Sequence, residues 1–145
     1  MTEPNMNGFT KKTPSLAKYL IAGLIAGLIS AVLNNIIYLI MISVEGYDWL
    51  PVIAVSILLA SFLPNIVAAL LYFLLSAINR RARLILTFGI VAFVLISVLP
   101  HLGIGPAPSP ALAALPEGFD LVTIPLHLVF GLTAIFLMPW LVAKD

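Results

Sequence analysis

His127 lies well inside an apolar run of the sequence, and an ionisable group in that setting is a functional-site candidate by default. A neutral imidazole could ligate a haem or chlorophyll through one nitrogen while the other donates to Thr123 or to an asparagine. It could relay a proton, or it could be a structural histidine held by hydrogen bonds. The structural role is favoured, a single-ligand cofactor comes second and a relay third. A haem held between two histidines would need His101, which follows Pro100 at the end of a run rather than lying within one. Thr123 and His127 are four residues apart and share a helix face, as do Ser61 and Asn65. Together with Asn34 and Asn35 they make up a candidate polar pocket.

The chemistry that is missing narrows the choice. No Asp or Glu lies within an apolar run, so a buried carboxylate that carries protons has no obvious candidate. Two histidines without a carboxylate cluster make a zinc or di-iron site improbable, and zero cysteines remove thiolate ligands and disulfides. No nucleophile, base and acid are grouped by spacing, so the expectation is a protein that is not an enzyme. Seven Lys and Arg against six acids leave no basic patch for nucleic acid.

These side chains must be positioned by elements suited to lipid. Of 145 residues, 62% are hydrophobic and 9% charged. A soluble domain of this size carries roughly a quarter charged residues, so the chain lacks the polar surface to stay in water. Four apolar segments run from about 17–43, 50–78, 84–100 and 121–142. A helix needs about 20 apolar residues to cross a hydrocarbon core of about 30 Å. The third segment is short unless it starts near Arg81 and runs into His101. The runs are continuous rather than alternating, and lipid demands internally satisfied backbone, so helices are expected rather than a barrel. The expected fold is an all-α integral membrane bundle of four transmembrane helices (residues 16–145), preceded by a flexible cytoplasmic tail at 1–15.

Charge gives the expected orientation. Lys11, Lys12 and Lys18 stand at the start of the first span, Arg80, Arg81 and Arg83 join spans two and three, and Lys144 follows the fourth. All seven cations then fall on one side, while Glu45, Asp48, Glu117 and Asp120 fall on the other. This is the positive-inside pattern, with both termini cytoplasmic in an inner membrane. Tyr19 and Trp140 are expected at the inner interface, Tyr47 and Trp49 at the outer one. The second outer loop, rich in proline (Pro106, Pro108, Pro110 and Pro116), is expected to be extended and semi-rigid. Asp48 and Asp120 suit helix N-caps.

Within lipid, small residues and hydrogen-bonding side chains hold helices together. Gly23, Gly27, Ala31, Asn34 and Tyr38 recur every three or four residues and share one face. Gly23 and Gly27 allow close approach of a backbone, either in the same bundle, which is favoured, or in a second copy. A second stripe comprises Ser61, Asn65, Ala69, Tyr72 and Ser76, with a kink expected at Pro64. A fourth-span stripe holds Thr123, His127, Gly131, Ala134 and Met138. The third span is the most apolar and is expected either to face lipid or to pack by shape alone. At 1.5 Å per residue, Asn34 is about 13 Å and His127 about 9 Å inside the outer end of its span, with Ser56 at a similar level. Asn65 lies nearer the midplane. An outward-opening hydrated pocket is one expectation. The favoured alternative is that Asn34, Asn35, Asn65 and His127 bond one another and set helix register.

The first span ending in Asn34-Asn35-Ile-Ile-Tyr38, Leu99-Pro100 in the third, and Leu126-His127-Leu128-Val129 in the fourth resemble small bacterial four-span membrane proteins grouped as a domain of unknown function. The resemblance covers nearly all of the chain after the tail. It implies four spans and a bacterial inner membrane, and it carries no activity. The leading functional expectation is an accessory or scaffold subunit that packs with other membrane proteins or with itself. The runner-up is a small-molecule or lipid-binding or transport component built on the polar pocket, and a haem or pigment subunit through His127 follows.

Overall fold

The computed structural model describes residues 15–46, 51–104 and 120–144, with backbone alone at 120 and 121. The tail at 1–14, the segment holding Tyr47, Asp48 and Trp49, and the proline-rich stretch at 105–119 lie outside the described residues, so the expectations placed on them are not addressed.

Four helices are long and apolar enough to cross a membrane, and no strand occurs among the described residues. Helix α1 spans Leu16–Glu45 and α2 spans Pro51–Ile78. Helix α3 spans Ala82–Val98 and tightens into a 3₁₀ turn at Leu99–Leu102. That turn brings the third span to 21 residues, starting beside Arg81 and reaching His101, which resolves its apparent shortness. Helix α4 spans Asp120–Leu132 and passes through a π-helical stretch, Thr133–Leu137, into α5, Met138–Ala143. The Met138 N–H reaches back to Thr133 O, five residues away. The physical cause is Pro139: it has no N–H for Ile135 and its ring crowds that carbonyl, so the helix widens just before it.

Gly46 ends α1 in the left-handed conformation, with φ of 73° and its N–H on Ile42 O at 2.9 Å. This C-cap needs a residue without Cβ, because a side chain would strain that backbone.

Helices α1 and α2 pack most intimately. A Cβ built on Gly23 would meet Ala69 Cβ at 2.5 Å and Asn65 O at 2.9 Å, and one on Gly27 would meet the Phe62 backbone at 3.1–3.2 Å. The glycine face is therefore filled by a helix of the same chain, which leaves no room there for a second copy. The whole stripe of Gly23, Gly27, Ala31, Asn34 and Tyr38 is buried. Gly131 does similar work between α4 and α3, where Val94 Cγ2 sits at 3.0 Å from its built Cβ.

Tyr19 departs from its expected place. It is 4% exposed and packs edge-on against Tyr72 and Phe73, with ring centroids at 5.1 and 5.6 Å. Tyr19 is four residues before Gly23 and so lies on the packed face, which overrides its depth near the interface. Trp140, by contrast, is exposed, with the Lys144 ammonium 4.9 Å from its ring, as suits an interfacial anchor. Lys18, Arg80, Arg81, Arg83 and Lys144 gather at one end of the bundle, opposite Glu45. Helix α3 is the least buried span and turns Phe88 and Ile96 outward, resolving its two expected roles in favour of exposure to lipid.

Candidate functional site

In the half of the bundle nearer Glu45, α2 and α4 stand apart around a cavity of about 450 Å³. Helix α2 contributes small side chains to the wall: Ser56, Ala60 and Ser61, followed by Pro64. Helix α4 faces them with Thr123, Leu126 and His127, while Asn34 of α1 and Phe93 of α3 also line the space, which is open on one side. Small groups on one wall opposite larger ones on the other leave the space open. Its volume falls within the range of roughly 300–1,000 Å³ typical of small-molecule sites, and its lining is mainly apolar with a few convergent polar groups.

Asn34 is the polar hub. It is 2% exposed, and its amide nitrogen donates to Ser61 Oγ at 2.7 Å and to Leu126 O at 3.3 Å. One side chain thereby ties α1 to α2 and to α4. The Ser61 hydroxyl donates onward to Ile57 O at 2.7 Å. Asn34 Oδ1 has no partner among the described residues, and a buried polar atom left in that state carries a desolvation cost of about 1–3 kcal/mol. Nδ1–H of His127 donates to Thr123 O at 2.9 Å, one turn back along the same helix. The carbonyl can only accept, so Nδ1 carries the proton, and Nε2 is the ring nitrogen left to accept a hydrogen bond or ligate.

Asn34, Ser61, Thr123 and His127 are thus brought together, but two expected members are not. Asn35 points elsewhere and donates to Ala31 O of its own helix at 2.9 Å, because one residue along a helix turns the side chain by about 100°. Asn65 is fully buried and donates to Ser61 O at 2.8 Å, and it sits behind the cavity wall where α1 presses on α2 at Gly23. The expected network of Asn34, Asn35, Asn65 and His127 bonding one another does not form. Each binds backbone carbonyls, and the cross-helix side-chain bond is Asn34 to Ser61.

Several contributors escaped the sequence reading. Phe93 and Phe130 pack edge-on at 5.8 Å beside the cavity. Ser30 is fully buried with an unpartnered hydroxyl, and its place three residues after Gly27 was the available signal. His101, carried by the 3₁₀ turn, brings its ring to 6.1 Å from that of His127 at a tilt of 44°. This proximity was not expected from a residue after Pro100. Nε2 of His127 is the wall's candidate ligand to a metal or haem, with His101 as neighbour. Among the described residues no three His, Asp or Glu gather as a metal site.

Four apolar helices make this a multi-pass membrane protein whose outer faces meet lipid. Compared with protein-family models, curated proteins and solved structures, the chain matches none of them, and the likeness to small four-span bacterial proteins rests on the quoted segments alone.

Proposed function

We propose that this chain is a non-enzymatic membrane protein that binds a small, largely apolar molecule in the cavity between α2 and α4. The single observation that carries this reading is a cavity of about 450 Å³ at bilayer depth, lined by Asn34, whose buried amide oxygen has no partner among the described residues. Tight four-helix packing would close such a space, since voids forfeit dispersion contacts and interiors are otherwise close-packed. The orphaned oxygen supplies one point of orientation beside a mainly apolar lining.

The accessory-subunit reading draws on exposed apolar side chains such as Leu28, Ile40, Phe88 and Ile96. Lipid covers such faces equally well, and the glycines suited to close helix contact are already engaged with α2. We further infer a bacterial inner membrane with both termini cytoplasmic, because the cations gather at one end.

The test is native mass spectrometry of the protein extracted from its own membrane. Ser56→Phe fills the cavity from its rim, and the hydroxyl it removes bonds only to Val52 O of its own turn, so the bundle should persist. A small-molecule adduct on the wild type that is lost in Ser56→Phe supports the reading. Identical spectra for the two proteins refute it.

A further inference from the structure

The polar groups on the cavity wall are unbalanced, and the imbalance points to a ligand class. Every donor with a described bond is already committed. The Ser56 hydroxyl donates to Val52 O, the Ser61 hydroxyl to Ile57 O, the Asn34 amide nitrogen to Ser61 Oγ and Leu126 O, and His127 Nδ1–H to Thr123 O. Leu126 O can only accept, so the amide nitrogen must face it, and the orientation of Asn34 follows from chemistry. Acceptors are what remain: Asn34 Oδ1, which is buried and without a partner among the described residues, and His127 Nε2, the ring nitrogen left over when Nδ1–H donates to Thr123 O. Pro64 has no N–H to offer the carbonyl of Ala60 in the regular helical pattern, and both residues line the cavity. No Lys, Arg, Asp or Glu stands among the described residues of the wall.

We propose that the cavity selects a neutral amphiphile bearing a hydrogen-bond donor: an alcohol or phenol on a single ring or chain, whose hydroxyl donates to His127 Nε2, or to Asn34 Oδ1 once the ligand displaces the packing that covers that oxygen. This rests on the binding reading above and specifies its ligand. An anion is disfavoured, since a carboxylate or phosphate would bring further acceptors to a wall of acceptors without a cation to replace its hydration. The volume lies toward the lower end for small-molecule sites and suits one ring or one chain rather than a two-chain lipid. Phe93 and Phe130 supply a flat apolar surface beside the polar groups.

Three probes of matched length test this: 4-hexylphenol, its methyl ether 4-hexylanisole, and 4-hexylbenzoate. Affinity is read from the concentration-dependent rise in unfolding temperature of the detergent-solubilised full chain. Ser56→Phe at the same free probe concentration serves as the reference for partition into the micelle. The phenol is expected to bind about tenfold more tightly than the ether, the factor for one satisfied buried acceptor, and the benzoate more weakly than either. In Asn34→Leu/His127→Phe the ratio of phenol to ether should fall to near one. Equal affinities of phenol and ether in the wild type, or tightest binding by the benzoate, would overturn the proposal while leaving a binding cavity in place. If no probe distinguishes the wild type from Ser56→Phe, the cavity reading fails and takes this one with it. A ratio that persists in the double variant overturns the assignment to these two acceptors. If that variant does not fold, the wild-type ratio decides alone.

Discussion

Adding a single methyl group to Gly23 should do more damage than the same change at any other described helical glycine. The Cβ would come within 2.5 Å of Ala69 Cβ and 2.9 Å of Asn65 O, where carbon atoms in good contact stand about 3.5–4.0 Å apart. The obstacle on α2 is partly backbone, so no side-chain rotation relieves it. The helices must separate by roughly 1 Å or tilt, and overpacking of this kind costs about 1–3 kcal/mol. Gly27→Ala meets Phe62 at 3.1–3.2 Å and should cost less, near 1 kcal/mol at the low end of the same range. Gly89→Ala is the control, because nothing lies within 4 Å of its built Cβ on the lipid-facing helix α3. There alanine should be neutral or stabilise by up to about 1 kcal/mol, as it does in a helix interior. The assay is equilibrium unfolding in mixed micelles followed by circular dichroism. The expected order of stability is Gly89→Ala at or above wild type, then Gly27→Ala, then Gly23→Ala. A Gly23→Ala variant within about 0.5 kcal/mol of wild type would refute the close apposition of α1 and α2, since even the low end of the overpacking range exceeds that. If the glycine face instead met a second copy, the substitution would change the concentration dependence of assembly rather than the stability of the monomer.

The bond from Asn34 to Ser61 should appear as coupling in a double-mutant cycle: Ser61→Ala costs about 0.5–1.5 kcal/mol in the wild type and close to nothing in Asn34→Leu, since the amide hydrogen it orphans is then absent. Equal costs in the two backgrounds would show that the contact carries no energy, against an average of about 0.6 kcal/mol for such bonds in membranes. For topology, the absence of native cysteine makes labelling clean. Cysteine placed at Asn79 and at the exposed Ile104 should react with an impermeant maleimide from opposite faces of the membrane, Asn79 from the cytoplasmic one, and labelling of both from one face would break the four-span arrangement.

Much of the fold was readable because lipid leaves few options. Helical spacing alone assigned the buried face of α1 from Gly23 to Tyr38, and the depth arithmetic set Asn34, Ser56 and His127 at the level where they line one cavity. The errors share a cause: depth or residue type was used where the face of the helix decides. Asn35 has the chemistry of Asn34 but stands about 100° around the helix, and Tyr19 has the depth of an interfacial anchor but the face of a core residue. Asn65 had the correct face and still missed the cavity, because one further turn toward Gly23 puts it beneath the closest approach of α1. The donor and acceptor balance of the wall was out of reach for a different reason. Whether the Asn34 amide leaves its oxygen or its nitrogen unmatched depends on meeting Leu126 O, a carbonyl 92 positions away on another helix. A slip of α4 by one residue would move that carbonyl by 1.5 Å and swing His127 by about 100°, away from the wall. The ligand preference proposed here is therefore a property of the register between α1 and α4, which is why any substitution that shifts that register should alter selectivity before it alters the fold.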